Sequence, residues 1–174
     1  MNKPILNDKG QELAKIFEMK NVMVFDAKSA AATKKFTIPK VPAGVFPFIG
    51  KRKTSVATVY IWENEGNKGV FSFNKDHFLN KCYKAQDVDT LISPFVLLGK
   101  KLSEYNIVCT TKGGGSSACF DAIKLALSRA FLRMDESFRQ ILKPAGMLTR
   151  DSRMVESKLT GRPKARKKKQ FSKR

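Results

Sequence analysis

Residues 105–133 read YNIVCTTKGGGSSACFDAIKLALSRAFLR, and the order of residue types in this stretch decides the fold. Tyr105 to Thr111 is rich in β-branched and aromatic residues, as a strand is. Three glycines follow, and then Ile123, Ala126, Leu127, Ala130 and Phe131 recur at helical spacing, with Asp121, Lys124 and Ser128 on the opposite side. The pattern predicts a strand, a glycine turn and an amphipathic helix from about Ala118 to Arg133, with Ser116 or Ser117 as its cap.

Upstream, Thr54 to Trp62 (TSVATVYIW) sets Ala57, Val59 and Ile61 in alternation with Thr58, Tyr60 and Trp62, the signature of a strand with one buried face. Asn64-Glu65-Gly66-Asn67 reads as a turn that returns the chain into Val70 to Phe73, so these two segments are expected to form a β-hairpin. Asp76 to Lys81 reads as a short helix. Asp87 to Leu98 reads as a longer one, with Val88, Leu91, Ile92, Phe95 and Val96 on one side and a Pro94 able to kink or shorten it. A further helix is expected from Asp135 to just before Pro144. There is no internal repeat. The sum is an α+β, two-layer domain with helices packed on one face of a mainly antiparallel sheet, followed by an extended basic C-terminal tail. The expected division is an N-terminal extension over 1–48, a globular domain over 49–147 and a basic arm over 148–174.

The extension holds eight Lys, four acids and no Arg, and closes on Pro39, Pro42 and Pro47. Asn7 or Asp8 is positioned to cap a short helix whose apolar stripe is Leu13, Ile16 and Phe17, with Met19 nearby, and Ala30 to Thr33 reads as linker. Acids without arginine argue against a typical mitochondrial presequence, so an appendage packing on a neighbouring protein is expected.

Thirty-four bases against 15 acids give a net charge of +19, which calls for an anionic partner. The bases do not line one amphipathic helix, so nucleic acid is favoured over a membrane surface. No apolar run reaches the length of a membrane span and no signal-peptide core opens the chain; a soluble protein in a reducing compartment is expected. Cys82, Cys109 and Cys119 are odd in number and lack metal-ligand spacing, so neither a disulfide framework nor a zinc site is expected, and no cofactor. His77 is the only histidine and has no partner spacing for catalysis. The acid pairs Asp87/Asp89 and Asp135/Glu136 suit helix first turns rather than acid–base chemistry.

Charge is concentrated at the end. Ser157 to Arg174 (SKLTGRPKARKKKQFSKR) carries nine Lys or Arg and no acid, and the last 25 residues hold eleven bases against Asp151 and Glu156, so +9 of the +19 lies there. With only Leu159 and Phe171 as sizeable apolar groups within those final eighteen residues, the arm has too little surface to bury to offset its ordering entropy, and in isolation it is expected to be disordered. Two further places suit phosphate. Lys112-Gly113-Gly114-Gly115 joins a strand to a helix N-terminus, where backbone N–H groups favour an anion, although a turn that needs only positive φ reads equally well; it matches neither a Walker loop nor a dinucleotide loop. Lys51-Arg52-Lys53 sets three bases at the mouth of the first strand, where charge also deters edge pairing. Arg150 and Arg153 stand three apart in the segment bridging body and tail and present two guanidiniums, one of which Asp151 or Glu156 could neutralise. Trp62 suits either base stacking or packing.

These motifs, taken together, resemble a known family. Gly50-Lys-Arg-Lys-Thr-Ser-Val-Ala, Thr111-Lys-Gly-Gly-Gly, Asp135-Glu-Ser-Phe-Arg, Leu148-Thr-Arg-Asp-Ser-Arg and Lys164-Ala-Arg through Gln170-Phe-Ser-Lys-Arg174 resemble the ninth protein of the small ribosomal subunit in its bacterial and organellar form, over about residues 49–174. The resemblance implies a fold like the second domain of ribosomal protein five, a place in the small-subunit head among neighbouring head proteins, no catalysis, no cofactor, no membrane and no homo-oligomer. It implies small-subunit rRNA contacts by Lys51, Arg52, Lys53, Lys112, Gly113, Gly114, Gly115, Lys124, Arg150, Arg153, Lys158, Arg162, Lys164, Arg166, Lys167, Lys168 and Lys169. It also implies contact of Ser172, Lys173 and Arg174 with the anticodon stem-loop of P-site tRNA. The sequence departs from the family after the glycines, where Lys124 stands in place of an arginine, and Ser157-Lys158-Leu159 carries fewer bases. With the 48 residues in front, these departures point to a mitochondrial ribosome, the alternatives being a bacterial cytoplasm or a plastid. Two rivals are a free-standing nucleic-acid-condensing protein and a phosphate-handling enzyme built on the Gly113 loop; the second lacks a general base and a metal-binding carboxylate cluster.

Overall fold

The computed structural model describes residues 38–64, 69–82 and 84–172. The helix read near Leu13 to Met19, the linker Ala30 to Thr33, the centre of the turn at Glu65-Gly66-Asn67, and Lys173 and Arg174 lie outside the described residues. Among the described residues there are five strands: β1 (Phe48–Arg52), β2 (Ser55–Glu63), β3 (Phe71–Phe73), β4 (Asp76–His77) and β5 (Tyr105–Lys112). The helices are α1 (Phe78–Lys81), α2 (Ala85–Leu98), α3 (Ser116–Met134) and α4 (Arg139–Leu142), with short 3₁₀ turns at Leu102–Glu104 and Glu136–Phe138.

The strands lie in the order β1-β2-β5-β3-β4. Three of the pairings are antiparallel and one, β3 with β5, is parallel, so the sheet is mixed with an antiparallel majority. Ala57, Val59 and Ile61 are buried in β2 as the alternation demanded, and α3 lies against β1 and β2 with α2 against α3. The α+β class and the two-layer build are as expected. The core is rich in aromatics: Phe95 meets Phe131 edge-on at 4.9 Å and Tyr105 meets the same ring at 5.6 Å. Such pairs contribute about 0.5–1.5 kcal/mol beyond their buried area.

The expected hairpin between 54–62 and 70–73 does not form. The nine-residue β2 pairs instead with β5 over eight register positions, where β3 could have offered three. The amides of Asn64 and Gly69, flanking the connection, donate to the carbonyls of Glu104 and Ser103, both at 2.7 Å, which carries the chain across the end of β5. A different hairpin exists one step earlier: β1 and β2 are joined by the two-residue turn Lys53-Thr54, with Lys53 at φ 48°.

Smaller departures have local causes. Asp76 and His77 form β4, and the helix begins only at Phe78, capped by His77, whose Nδ1 accepts from the Leu79 amide at 3.4 Å and whose imidazole pKa burial holds below its usual value. Helix α2 starts at Ala85 and runs through Pro94 to Leu98. Pro94 removes the N–H that would bond the Thr90 carbonyl, and the Ser93 hydroxyl donates to that carbonyl at 2.8 Å. Val96, expected on the buried side, is 49% exposed. In α3, Ser116 and Ser117 fall inside the first turn, and Gly115, which has no side chain to cap with, takes the N-cap position. Ser128 is buried rather than outward, its hydroxyl satisfied by the Lys124 carbonyl at 2.9 Å. The segment after Asp135 opens as a 3₁₀ turn, with the Asp135 carboxylate accepting from the Ser137 amide at 2.9 Å, before the single turn of α4. Cys82 and Cys109 are buried free thiols, the first pushed up to about 12 by burial and then by the charge of Asp87. From Arg150 to Ser172 there is neither helix nor strand.

One contact sets how close the two layers approach. A Cβ on Gly50 would collide with the Ala122 carbonyl oxygen and stand 2.8 Å from the Ala126 amide nitrogen, so β1 lies directly on the α3 backbone. Arg129 reinforces the seam by donating to the Ile49 carbonyl at 2.6 Å. Gly50→Ala is therefore expected to lower unfolding free energy by about 2 kcal/mol or more, since backbone must move to admit the methyl group. Gly115→Ala, with open space around it, is expected to change it by less than about 1 kcal/mol. Urea denaturation of both variants checks the contrast.

Candidate nucleic-acid interface

The register of β2 against β5 pairs Val56 with Lys112, which sets the Lys53-Thr54 turn beside the glycine loop. Gly113 and Gly114 have φ of 70° and 74°, and a Cβ on either would stand 2.8 Å from the Thr54 carbonyl oxygen or 2.7 Å from the Ser55 Cβ. Glycine here satisfies both the left-handed backbone and the close approach of two loops. Cys119 ties the junction further: its sulfur accepts from the Ser55 hydroxyl at 3.3 Å and donates to the Gly113 carbonyl at 3.5 Å. The fold thus gathers Lys51, Lys53, Lys112, Gly113, Gly114 and Gly115 at one end of the sheet, beside the N-terminus of α3. Because Gly115 caps with backbone alone, the first-turn amides of that 19-residue helix have no side-chain acceptor.

Of the three consecutive bases, Lys51 and Lys53 stand in solvent and Arg52 does not. The Arg52 side chain is only 14% exposed and its guanidinium is fully engaged within the protein. Nη2 meets the Asp151 carboxylate at 2.9 Å and Nε the Asp121 carboxylate of α3 at 3.5 Å. Nη1 donates to the backbone carbonyl of Arg153 at 2.8 Å and, more weakly, to that of Asp151 at 3.4 Å. One side chain at the end of β1 therefore joins the sheet, the long helix and the root of the arm. Lys124 shares Asp121, at 3.8 Å.

Asp151 sits between two guanidiniums. Arg153 grips it with Nε at 3.1 Å from both oxygens and Nη2 at 2.7 Å from one. Those hydrogen bonds, the Arg153 amide and then the charges of Arg153 and Arg52 hold the Asp151 carboxyl well below the usual carboxylate range. It stays charged throughout the neutral range. Immediately before this node, Met147 and Leu148 pack on the core, and Met147 donates its amide to the Leu142 carbonyl at 3.1 Å. The arm therefore leaves the body from a fixed point.

Beyond it the chain is extended, with one internal clasp. Arg166 binds Glu156 through Nε at 2.9 Å and Nη2 at 2.5 Å, closing a loop whose bend is the Leu159 to Arg162 turn with Gly161 at φ 77°. Arg153 and Arg166 are nonetheless 86% and 85% exposed at the side chain, so a phosphate reaches either from solvent. Arg150, Lys158, Arg162, Lys164, Lys167, Lys168 and Lys169 make no ion pair among the described residues. Ser172 is exposed at the described end of the arm.

The bases read from the sequence thus fall into a cationic end of the sheet and a cationic arm, joined by Arg52. The inward role of Arg52 was not visible as such, because its partners lie about 70 and 100 positions away in sequence. The pairing of Arg153 with Asp151, by contrast, was one of the two readings its spacing left open. Among the described residues no cluster of His, Cys, Asp or Glu is arranged to hold a metal, and no helix is long and apolar enough to cross a membrane.

Residues 50–174 match the family described as ribosomal protein S9/S16. The chain is 43% identical over 131 residues to small ribosomal subunit protein uS9 of Rickettsia rickettsii, an overlap of 75% of this chain and 80% of that relative. It is 41% identical over 126 residues to the uS9 protein of Amoebophilus asiaticus, covering 72% of this chain and 95% of that one. A similar overlap, 41% identity over 136 residues, relates it to uS9 of Rickettsia felis.

If Arg52 fixes the arm root, Arg52→Ala leaves the body folded but frees the arm. Charge-assisted hydrogen bonds contribute about 1.5–3 kcal/mol each, so tryptic cleavage after Arg150 and Arg153 is expected to accelerate about tenfold or more. Cleavage after Lys167 to Lys169 serves as the internal reference and is expected to be unchanged.

Proposed function

The chain belongs to the ribosomal protein S9/S16 family, and from that premise we infer that its arm lies between rRNA helices and brings its tip to the anticodon stem-loop of the P-site tRNA. It is a structural protein of the small ribosomal subunit that binds rRNA, and it is not an enzyme. The phosphate-handling reading of the Gly113 loop is set aside on that ground.

What carries this reading is an extended arm in which seven cations make no ion pair among the described residues, leaving the body at a point fixed by Arg52 and Asp151. A freely pivoting arm of this charge would bind any polyanion; a fixed exit gives it one direction. In our reading Lys51, Lys53, Lys112, the amides of Gly113 to Gly115 and Lys124 take rRNA phosphates beside the body. Arg150, Arg153, Lys158, Arg162, Lys164, Arg166, Lys167, Lys168 and Lys169 do so along the arm. Arg153 and Arg166 exchange a carboxylate for a phosphate as they dock, and Arg52 acts by holding the arm. Ser172, Lys173 and Arg174 touch the tRNA through its backbone. Backbone contact suits a site that every elongator tRNA must occupy, because it carries no sequence information.

The division into 1–48, 49–147 and 148–174 follows this assignment, with the extension packing on neighbouring head proteins. We place the protein on the mitochondrial ribosome, on the strength of the 49 residues that precede the matched region and of Lys124 at a position where the resemblance implies arginine. Co-purification with organellar rather than cytoplasmic small subunits tests that placement.

Removal of Lys173 and Arg174 is expected to leave subunit assembly intact and to speed dissociation of P-site tRNA; equal off-rates would refute tip contact. Each phosphate contact contributes about −0.7 to −0.9 to the slope of log affinity against log salt. Replacing Lys167, Lys168 and Lys169 by Ala is thus expected to flatten the slope for a head-rRNA fragment by about 2–3. A slope that does not move would place these lysines away from the RNA.

A further inference from the structure

Helices α2 and α3 lie on one face of the sheet, and no described helix lies on the other. On β2 the bare side carries Val56, Thr58, Tyr60 and Trp62, the positions that alternate with the buried ones. Register then builds the surface outward. Lys51 of β1 and Lys112 of β5 flank Val56, and Val108 stands beside Tyr60. Val56 is 37% exposed and both lysines are exposed, Tyr60, Trp62 and Val108 are half-buried, and Ser72, which pairs with Val108 on β3, is fully buried, so the open part of this face lies on β1, β2 and β5. No Asp or Glu occupies any paired position of this face, and neither lysine has an ion pair among the described residues.

A two-ring apolar strip with cations at one end fits a particular occupant. Aromatic side chains on an open sheet stack on unpaired bases of any sequence, while cations at the border take the neighbouring phosphates. The cationic end of this face is also the end that carries Lys53 and the Gly113 loop. We propose that the bare face of the sheet is a stacking platform for unpaired RNA nucleotides, with Tyr60 and Trp62 against bases and Lys51 and Lys112 against the flanking phosphates. It deepens the rRNA-binding reading above and rests on it, but adds a distinct ligand class, single-stranded rather than helical RNA.

Trp62 is the only tryptophan in the chain, so intrinsic fluorescence reports on this face alone. The full chain is titrated with end-labelled oligoadenylate of about ten nucleotides, within the range one such surface binds, and with an RNA hairpin of equal phosphate number whose two strands are joined by a non-nucleotide linker. Label anisotropy reads binding and Trp62 emission reads stacking. Saturating oligoadenylate is expected to quench Trp62 strongly, whereas the hairpin binds without quenching. Tyr60→Leu, which keeps apolar bulk but removes the ring, is expected to weaken oligoadenylate about tenfold and the hairpin hardly at all. Oligoadenylate bound with Trp62 emission unchanged overturns the platform and leaves the basic-arm reading standing. Equal quenching by both RNAs overturns base stacking, and equal quenching by oligoglutamate points to an acidic protein segment instead. Failure of both RNAs to bind overturns the RNA reading as a whole.

Discussion

The Arg52 guanidinium joins parts of this protein that have little other reason to stay together. The sheet and α3 would pack on the strength of Gly50 and the aromatic core alone, but the arm buries almost nothing. Its position depends on one planar cation that satisfies two carboxylates and two carbonyls at once. Lysine is a poor substitute, because a single ammonium cannot address acceptors spread around a fork. The same geometry explains two acids in an otherwise basic neighbourhood. Without Asp121 and Asp151, a guanidinium only 14% exposed would be left short of compensating charge.

How much of this was legible in sequence follows from the range of the interactions involved. Alternation in β2 and the apolar stripe of α3 are local, and both held: Ala57, Val59 and Ile61 are buried, as are Ile123, Ala126, Leu127, Ala130 and Phe131. The pairing partner of β2 is not local. A turn-like Asn64 to Asn67 suggested a hairpin, but ladder length decided otherwise, and eight partners on β5 outweigh three on β3. Ser116 and Ser117 looked like caps because their chemistry is right; the glycine loop, held against Thr54 and Ser55, starts the helix at Ser116, too early for either to serve. At the candidate interface the cationic residues were plain from composition. Which of them faces inward was not, since the partners of Arg52 come from α3 and from the arm root.

The arm shows why charge and direction must be supplied separately. Like charges in series repel and extend a chain, and extension suits a channel between RNA helices but does not choose one. The two acids within the arm add local order without much neutralisation. Asp151 fixes the root and Glu156 closes the loop to Arg166, each against an exposed arginine that phosphate can claim. Bonds of that kind contribute little in water and are readily exchanged, so they restrict the free arm without opposing its docking. The ordering entropy that remains falls due only on binding, as it does for other segments that fold onto a partner.

Body and arm then act on one another through effective concentration. An arm that binds phosphate weakly, site by site, becomes firmly held once the body is docked, because its local concentration is set by a short tether rather than by the bulk. The gain depends on the tether pointing the right way, and it vanishes where geometry forbids both contacts together. A loosened root would leave every phosphate-binding cation in place and still weaken the whole, by spreading the arm over directions that meet no RNA. On this argument the residue most consequential for arm binding is Arg52, whose nearest charges are the protein's own.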